Sequence, residues 1–495
     1  ATTKIYTLSL HDALPISIPD YQDLSFKIHI PLKKAGTLSI TGIGGTDHSG
    51  LEAESDTLKW ENYEDRQQTQ LNTSTGALIL SHMIHTGKRT WMKTTVAASG
   101  SKIEYEDGFW LNASTFRQKD ASNTENTKLS ASWVLNGKPA SQLTYRCGLT
   151  YNRIGYTLKI KSEDYLNGQF ASLADESGHA SNVQLFAQFR YDILEALSLN
   201  AGLHSRWYET NEKTSIEPRA SLRWEFIPGN TLSLGYGLHT QSENLAVYLS
   251  RPVHQTHQPN KGLDFAKAGH FIIGYDRMLN ENTRLKTEVY YQTLSSLPVV
   301  PGSPVALINT VDQWIADSLT NTGKGKNYGV ELTLERFFSK GYYYLLTSSL
   351  YRSKYTGGDG IERNARFDGR FVVNGLFGKE FMIRNKHVLG INLKASWNGG
   401  ECYTPILLEQ SRIENRQVEN LDQSWSERLE SFVYTDITVT FKRNHRKYTG
   451  TWALQIKNAL NHRPAIGYRY NAGNGSLESI LPMGMVPALS YKIEF

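Results

Sequence analysis

The chain contains little cysteine: Cys147 and Cys402 are the only two among 495 residues. They stand far apart in sequence, and a single pair does not make a disulfide framework. Cys147 falls within a strand pattern and Cys402 within a long loop. We therefore expect two free thiols and a fold that is held together by other means.

Long apolar runs are also absent, and the mean hydropathy is −0.44. No stretch reaches the roughly 18–20 apolar residues of a transmembrane helix, which excludes a helical membrane protein. A strand of a membrane barrel needs apolar side chains on one face only, so a polar average is compatible with a barrel. The net charge of +5 is small for this length, and no basic run with interleaved aromatics indicates a nucleic-acid partner.

The familiar catalytic motifs are missing as well. The sequence has no Gly-x-Ser-x-Gly, no His-Glu-x-x-His and no phosphate-binding loop ending in Lys-Ser or Lys-Thr. We therefore expect no enzyme activity, no catalytic or metal-ligating residue and no cofactor.

What the sequence does contain is alternation with a period of two residues, the pattern of a strand with one apolar face. At the C-terminus the apolar face holds Pro487, Leu489, Tyr491, Ile493 and Phe495. About 19 such segments predict an all-β fold, a transmembrane antiparallel β-barrel. They lie at roughly 24–31, 36–44, 69–86, 89–106, 126–136, 141–161, 180–192, 196–209, 215–227, 230–241, 267–279, 282–294, 327–338, 341–352, 365–381, 387–399, 433–443, 449–461 and 486–495.

The connections between these segments alternate between short and long. Short turns are expected at 33–35, 86–88 and 228–229, and long loops at 107–125, 162–179, 242–266, 295–326 and 400–432. Outer-membrane barrels have tight turns at the periplasmic end and extended loops at the external end. The pattern therefore predicts a protein of the cell outer membrane, surrounded by lipid.

Aromatic residues fall into two groups. Five are predicted to lie on outward faces, in the girdles at the lipid headgroups: Trp207, Trp224, Tyr236, Tyr291 and Tyr491. Three others, Trp314, Tyr403 and Trp425, stand in the long external loops. They are candidates for contact with a ligand, and packing of the loops on themselves is the alternative for each.

The first 17 residues fit no strand and lack the basic start and apolar core of a signal peptide. We expect 1–17 to be an anomalous leader that is not native, and 18–495 to be an outer-membrane barrel domain truncated at its N-terminus. Bacterial barrels have an even number of strands. Because the first visible strand starts externally and the last ends in the periplasm, an odd number is expected to be missing, three if the whole has 22.

Three segments carry a resemblance to a known family: 321–335 (NTGKGKNYGVELTLE), 366–370 (RFDGR) and 455–461 (QIKNALN). They resemble TonB-dependent receptors of Bacteroidetes. The resemblance implies a 22-stranded barrel, an N-terminal plug and a TonB box that couples uptake to the proton-motive force. It also implies that the barrel-assembly machinery recognises the last strand, where Tyr491, Ile493 and Phe495 match the pattern. The plug and the TonB box are not found in this sequence.

The expected function is therefore that of the barrel of a receptor and transporter for a scarce small molecule, such as a ferric siderophore, haem or cobalamin. The TonB complex would be its partner, through a missing N-terminal region. Two alternatives remain from the sequence: a passive porin or diffusion channel, and a ligand-binding adhesin. The sequence does not identify the ligand.

Overall fold

The computed structural model describes residues 4–9, 20–60, 64–163, 170–252, 255, 257–311 and 317–494. These ranges contain two short helices, α1 (Leu245–Leu249) and α2 (Leu408–Glu414). No helix in them has the length and apolar character needed to cross a bilayer. The strands, numbered β1 to β25 in chain order, are Lys4–Ser9, Asp20–Pro31, Thr37–Leu51, Gln67–Gly87, Thr90–Asn112, Thr115–Ala140, Leu143–Glu163, Phe170–Leu194, Leu197–Tyr208, Lys213–Ile227, Asn230–Gln241, Ala266–Asn280, Thr283–Val299, Thr320–Ser339, Tyr342–Thr356, Glu362–Asn364, Phe371–Ile383, His387–Asn398, Cys402–Tyr403, Glu427–Arg428, Phe432–Asn444, Thr449–Lys457, Gly467–Asn471, Ser476–Ile480 and Val486–Glu494.

Twenty-one of these strands form one antiparallel sheet in which neighbours along the chain are neighbours in space. The order runs from β2 to β15 and continues through β17, β18, β21, β22 and β25, with β1 paired to β25 and the short β16 beside β15. β19 with β20, and β23 with β24, form two small separate sheets in the loops. This up-and-down order is that of an outer-membrane β-barrel.

The nineteen expected segments all appear, as β2–β15, β17, β18, β21, β22 and β25. The difference lies in their length. Residues 107–125 were expected to form a loop, yet β5 and β6 stay paired from Asp107 opposite Asp120 to Asn112 opposite Thr115. Beyond the bilayer both faces of a strand meet water, so backbone pairing continues there after the apolar alternation has ended.

The same extension affects all of β4 to β8, which have between 21 and 26 residues. A tilted strand needs about 9–11 residues to cross a membrane. Because their periplasmic ends are joined by short turns, the excess length projects outward from the external side. Residues 4–9 were not expected to join the sheet, and they pair with β25, Lys4 standing opposite Ile493. The domain boundary after residue 17 stays a prediction.

Alternation along the strands places apolar side chains on the outside of the barrel. One row of direct cross-strand partners illustrates this, with exposures between 45% and 60%: Leu234, Ile273, Val289, Val330 and Leu350. The girdle aromatics Trp207, Trp224, Tyr236 and Tyr291 are exposed in the same way. Tyr491 is half-buried because its ring packs on Trp452, with 4.4 Å between centroids.

The inner face carries a row of polar partners. The Gln292 amide lies 3.0 Å from His270 Nε2 and accepts a hydrogen bond from Asn327 at 2.5 Å. Ser353 Oγ donates in turn to Asn327 at 2.7 Å. The chain thus has an apolar outside and a hydrogen-bonded inside, the reverse of a soluble protein.

The conventional hydrophobic core of the described residues lies at the external end, in the loops. Helix α1, after β11, is buried along its whole length and packs with Leu158 of β7, Leu173 of β8 and Phe265. The loop that follows β13 joins this cluster through Leu307 and Leu319. Both cysteines are free, as expected. The external loops are therefore packed structures that can hold side chains in fixed positions.

Candidate ligand chamber at the external end

The projecting strands and the long loops border a cavity of about 820 Å³, which we call the external chamber. One side, the strand wall, is formed by the outer ends of β4 to β7. The rest of the lining, the loop wall, comes from the loops that follow β13, β15, β18 and β22. This volume lies within the range of about 300–1,000 Å³ that is usual for small-molecule sites.

The strand wall contains an aromatic ring in contact with two cations. The Arg117 guanidinium lies 5.9 Å and the Lys119 ammonium 5.7 Å from the centroid of the Phe109 ring. Arg117 also donates a hydrogen bond to Glu163 Oε1. The cations are thus held in place by contacts within the wall, while Phe109, Arg117, Lys119 and Glu163 all border the cavity.

Two carboxylates on the strand wall, Asp107 and Asp120, accept hydrogen bonds from neutral donors. Asp107 Oδ1 accepts hydrogen bonds from Gln67 Nε2 at 2.9 Å and from Thr69 Oγ1 at 2.6 Å. Asp120 accepts one from Ser162 Oγ at 2.5 Å. These bonds fix the orientation of the two carboxylates.

The loop wall presents Trp425, one of the three loop aromatics named from the sequence as candidates for ligand contact. Its backbone N–H donates to Thr404 Oγ1 at 3.2 Å, and its φ of 57° is left-handed. That conformation costs a bulky residue on the order of 1–3 kcal/mol. Trp425 packs against a buried cluster that includes Val299 and Tyr355 while it also borders the chamber. Packing in the loop and contact with a ligand are therefore compatible for this ring.

Arg366 stands beside Trp425, its guanidinium carbon 6.0 Å from the ring centroid. The backbone N–H of Arg366 donates to Asn309 Oδ1 at 3.0 Å, and its side chain lies 3.4 Å from Glu401. Asn309, Arg366 and Trp425 all border the chamber. Each wall thus combines an aromatic ring with at least one cation.

A carboxyl group on the loop wall has an altered acidity. Burial raises the pKa of Glu419, although a hydrogen bond from Gln417 Nε2 at 3.1 Å and the charge of Arg366 oppose this. The hydrogen bond from Gln417 holds this carboxyl group at the border of the chamber.

The other two aromatic candidates are placed differently. Tyr403 is not among the residues that border the chamber, and its ring contacts Tyr468 at 5.2 Å between centroids, joining two external loops. Trp314 lies outside the described residues, as does Phe495 of the expected assembly signal. A ligand contact by Trp425, Tyr403 or Trp314 stays a prediction.

Several chamber residues were not singled out from the sequence. Arg117 and Lys119 fell in a segment expected to be a loop, and Arg366 was noticed only as part of the RFDGR resemblance. Alternating cations opposite an aromatic residue on a neighbouring long strand would have been the signal. Within the described ranges, no group of three or more His, Cys, Asp or Glu side chains is arranged to bind a metal ion.

The family comparison matches residues 30–459 to the β-barrel of TonB dependent receptor-like proteins. Solved structures with the same fold include the ferric-catecholate import receptor Fiu from K12 E. coli, at 11% identity and a TM-score of 0.70, covering 100% of this chain and 77% of that chain. The ferric preacinetobactin receptor BauA from Acinetobacter baumannii has 10% identity and a TM-score of 0.67, covering 100% of this chain and 75% of that chain. The ferric yersiniabactin uptake receptor FyuA from Yersinia pestis has 11% identity and a TM-score of 0.65, covering 100% of this chain and 78% of that chain.

No curated protein matches the chain significantly. The family match extends over most of the sequence, and it agrees with the strand order, the lipid-facing rows and the external loops described above. The chain therefore belongs to the TonB-dependent receptor family, the β-barrel transporters of the outer membrane, which are not enzymes.

Proposed function

We propose that the external chamber captures a scarce, negatively charged chelate of ferric iron for TonB-dependent uptake. The observation that carries this proposal is the pair of rings with adjacent cations that border one cavity: Phe109 with Arg117 and Lys119, and Trp425 with Arg366. A flat anionic group fits such a site because the partly exposed Trp425 ring offers stacking area and the cations offer charge-assisted contacts.

The names of the similar structures support the same ligand class. Fiu is described as a ferric-catecholate import receptor, and BauA and FyuA as receptors for ferric preacinetobactin and ferric yersiniabactin. Their identities to this chain are near 10%, so they support the fold directly and the ligand class by analogy. Haem and cobalamin, also expected from the sequence, are alternatives that an uptake assay separates.

Coupling to TonB is part of the proposal. In this family uptake is energised from the inner membrane, and we infer that the complete receptor contacts TonB through N-terminal residues that precede its barrel. The narrower resemblance to Bacteroidetes receptors stays a prediction, since the structures named above come from other bacteria.

Uptake of radioactive iron tests the proposal. Cells with and without the gene, each with and without a functional TonB, are given ferric catecholate at limiting concentration, with haem and cobalamin as separate substrates. We expect saturable iron uptake that needs both the gene and TonB. A passive channel would give uptake that neither saturates nor depends on TonB, and an adhesin would give none.

A further inference from the structure

The sheet contains a gap beside β15. This strand pairs with β17 up to Leu350 opposite Phe371, and with β16 from Lys354 opposite Asn364. Residues 351–353 lie between these two ladders, opposite the bulge formed by 365–370. Inside the gap the Ser353 N–H donates to Asp368 Oδ1 at 2.8 Å. The Asp368 carboxylate therefore occupies the place of a ladder carbonyl.

Asp368 is fully buried, with none of its surface exposed, and it meets two arginines. Arg352 Nε lies 3.2 Å and Arg428 Nη2 3.0 Å from Asp368 Oδ2. Arg428 Nη1 also donates to the carbonyl oxygen of Gly400 at 2.7 Å and to that of Asp368. A carboxylate without exposure is stable in its charged form only when such partners surround it.

These contacts join the barrel to the loop wall. Arg352 belongs to β15, whereas Arg428 belongs to β20 in the loop that follows β18, where it stands opposite Cys402. The Cys402 N–H donates to the carbonyl oxygen of Arg366 at 2.8 Å. Trp425, the ring of the loop wall, precedes Arg428 by three residues, and Arg366, its cation, precedes Asp368 by two. The Arg428–Asp368 ion pair therefore lies next to both of them along the chain.

The contact between residues 365–370 and the loop that follows β18, and this loop itself, are close-packed. A Cβ added to Gly399 would lie 1.7 Å from the carbonyl oxygen of Gly369, and one added to Gly400 would lie 1.8 Å from that of Leu429. Backbones that approach this closely have one arrangement in which they fit. The charges of Asp368 and Arg428 lie at this contact and hold it together.

We propose that Asp368 is a positioning residue for ligand capture: by binding Arg352 and Arg428 it fixes residues 400–432 against β15, so that Trp425 and Arg366 face the ligand already ordered. Ordering the wall before binding removes an entropic cost that the ligand would otherwise offset. The role of Asp368 in ligand capture rests on the proposed function, whereas its effect on the position of residues 400–432 does not.

Cys402 is a natural reporter of this arrangement. It is 2% exposed and lies opposite Arg428, and burial raises the pKa of its thiol, which suppresses the reactive thiolate. In a Cys147→Ser background it is the only cysteine. The rate of its reaction with a membrane-impermeant maleimide, measured on the whole chain in outer membranes, reports how often the loop opens.

Asp368→Asn keeps the size and an acceptor oxygen and removes the charge. We expect Cys402 to react about tenfold faster or more, because the segment opens more often. Arg428→Gln should raise the labelling rate of Cys402 as much as Asp368→Asn does. Arg428→Lys, which keeps the charge, should give a rate between those of Arg428→Gln and the wild type. The matched control is Asp359→Asn, which removes a carboxylate 2.7 Å from Arg363 in the adjacent loop and should leave Cys402 protected.

Affinity for ferric tris-catecholate is measured on the same variants. We expect Asp368→Asn to lose affinity about tenfold, and Arg428→Lys to lose less affinity than Arg428→Gln. Unchanged affinity in Asp368→Asn would mean a purely structural role and would overturn the proposal. Protection of Cys402 in a folded Asp368→Asn barrel, or equal exposure in Asp359→Asn, would overturn it too. If Asp368→Asn does not fold, the Arg428 variants decide the matter. Faster labelling in a chain whose wild type binds no ferric catecholate would reject the proposed ligand and retain the positioning role.

Discussion

The guanidinium carbon of Arg366 lies 6.0 Å from the centroid of the Trp425 ring, although the two residues belong to different external loops. Arg366 follows β16 and Trp425 precedes β20. The contact exists only when both loops are folded against each other. The loop wall of the chamber is therefore a property of loop packing, and the barrel strands supply its foundation.

Replacing Trp425 with alanine should weaken binding of a ferric catecholate about tenfold. Stacking of a catechol ring on the indole contributes on the order of 1 kcal/mol or more. Isothermal titration of the purified chain in detergent measures the change. Trp224→Ala, which removes an exposed aromatic of the lipid-facing surface, is the control and should bind like the wild type. Equal losses in the two variants would show that the effect is not specific to the chamber.

Neutralising Glu163 should have the opposite effect. Glu163 pairs with Arg117 on the strand wall, so Glu163→Gln leaves that cation available to an anionic ligand. We expect severalfold tighter binding and a steeper loss of affinity with added salt, because an additional charge contact forms. Arg117→Gln should weaken binding. Titrations at low and high salt test both, and weaker binding in Glu163→Gln would contradict an anionic ligand.

The loop that contains α1 should lose stability as the pH rises. Glu243 donates its backbone N–H to the Tyr248 hydroxyl at 3.2 Å, and burial raises the pKa of its carboxyl from 4.5 to about 7. Between these values the folded loop binds a proton that the unfolded loop releases, so stability is greatest below pH 4.5, declines as the pH rises from 4.5 to 7 and is lowest above 7. Glu243→Gln should remove the decline.

At pH 8 this substitution should stabilise residues 245–249 by about 2 kcal/mol, less than the full shift because the side chain is partly exposed. Hydrogen exchange of this segment, compared between the variant and the wild type at pH 4.5 and at pH 8, gives the answer. Identical differences at the two pH values would show that Glu243 does not titrate with the loop.

The last strand offers a test of assembly. The Tyr491 ring packs on Trp452 and covers Gly450, where an added Cβ would lie 2.6 Å from the Tyr491 hydroxyl. Tyr491→Ala should lower the amount of folded barrel, measured by heat-modifiable migration in gels, whereas Tyr491→Phe should not, because the ring supplies the contact. Removal of Phe495 should lower it as well if the C-terminal pattern is the assembly signal. Normal assembly without either residue would argue against that signal.

The barrel could be predicted from the sequence because lipid on one side and a wet interior on the other impose a period of two on every crossing strand. Rows such as Leu234, Ile273 and Val289 record that constraint directly. The constraint ends at the membrane surface. Arg117 and Lys119 lie on β6 beyond it, so their strand was mistaken for a loop.

The chamber could be predicted only in part for a related reason. Trp425 was named as a candidate because an apolar ring in a long external loop is able to contact a ligand, but nothing in the sequence pairs it with Arg366. The Tyr403–Tyr468 contact and the Arg352–Asp368–Arg428 group likewise join segments that are distant along the chain. Such partners are set by how loops pack, which local periodicity does not encode.

The most direct test of the proposed function is the position of iron in a crystal of this chain grown with ferric tris-catecholate, from anomalous scattering at the iron edge. We expect one strong peak in the external chamber between Phe109 and Trp425. A peak elsewhere in the molecule, or none at saturating ligand, would contradict the proposal that this chamber is where the receptor captures its ligand.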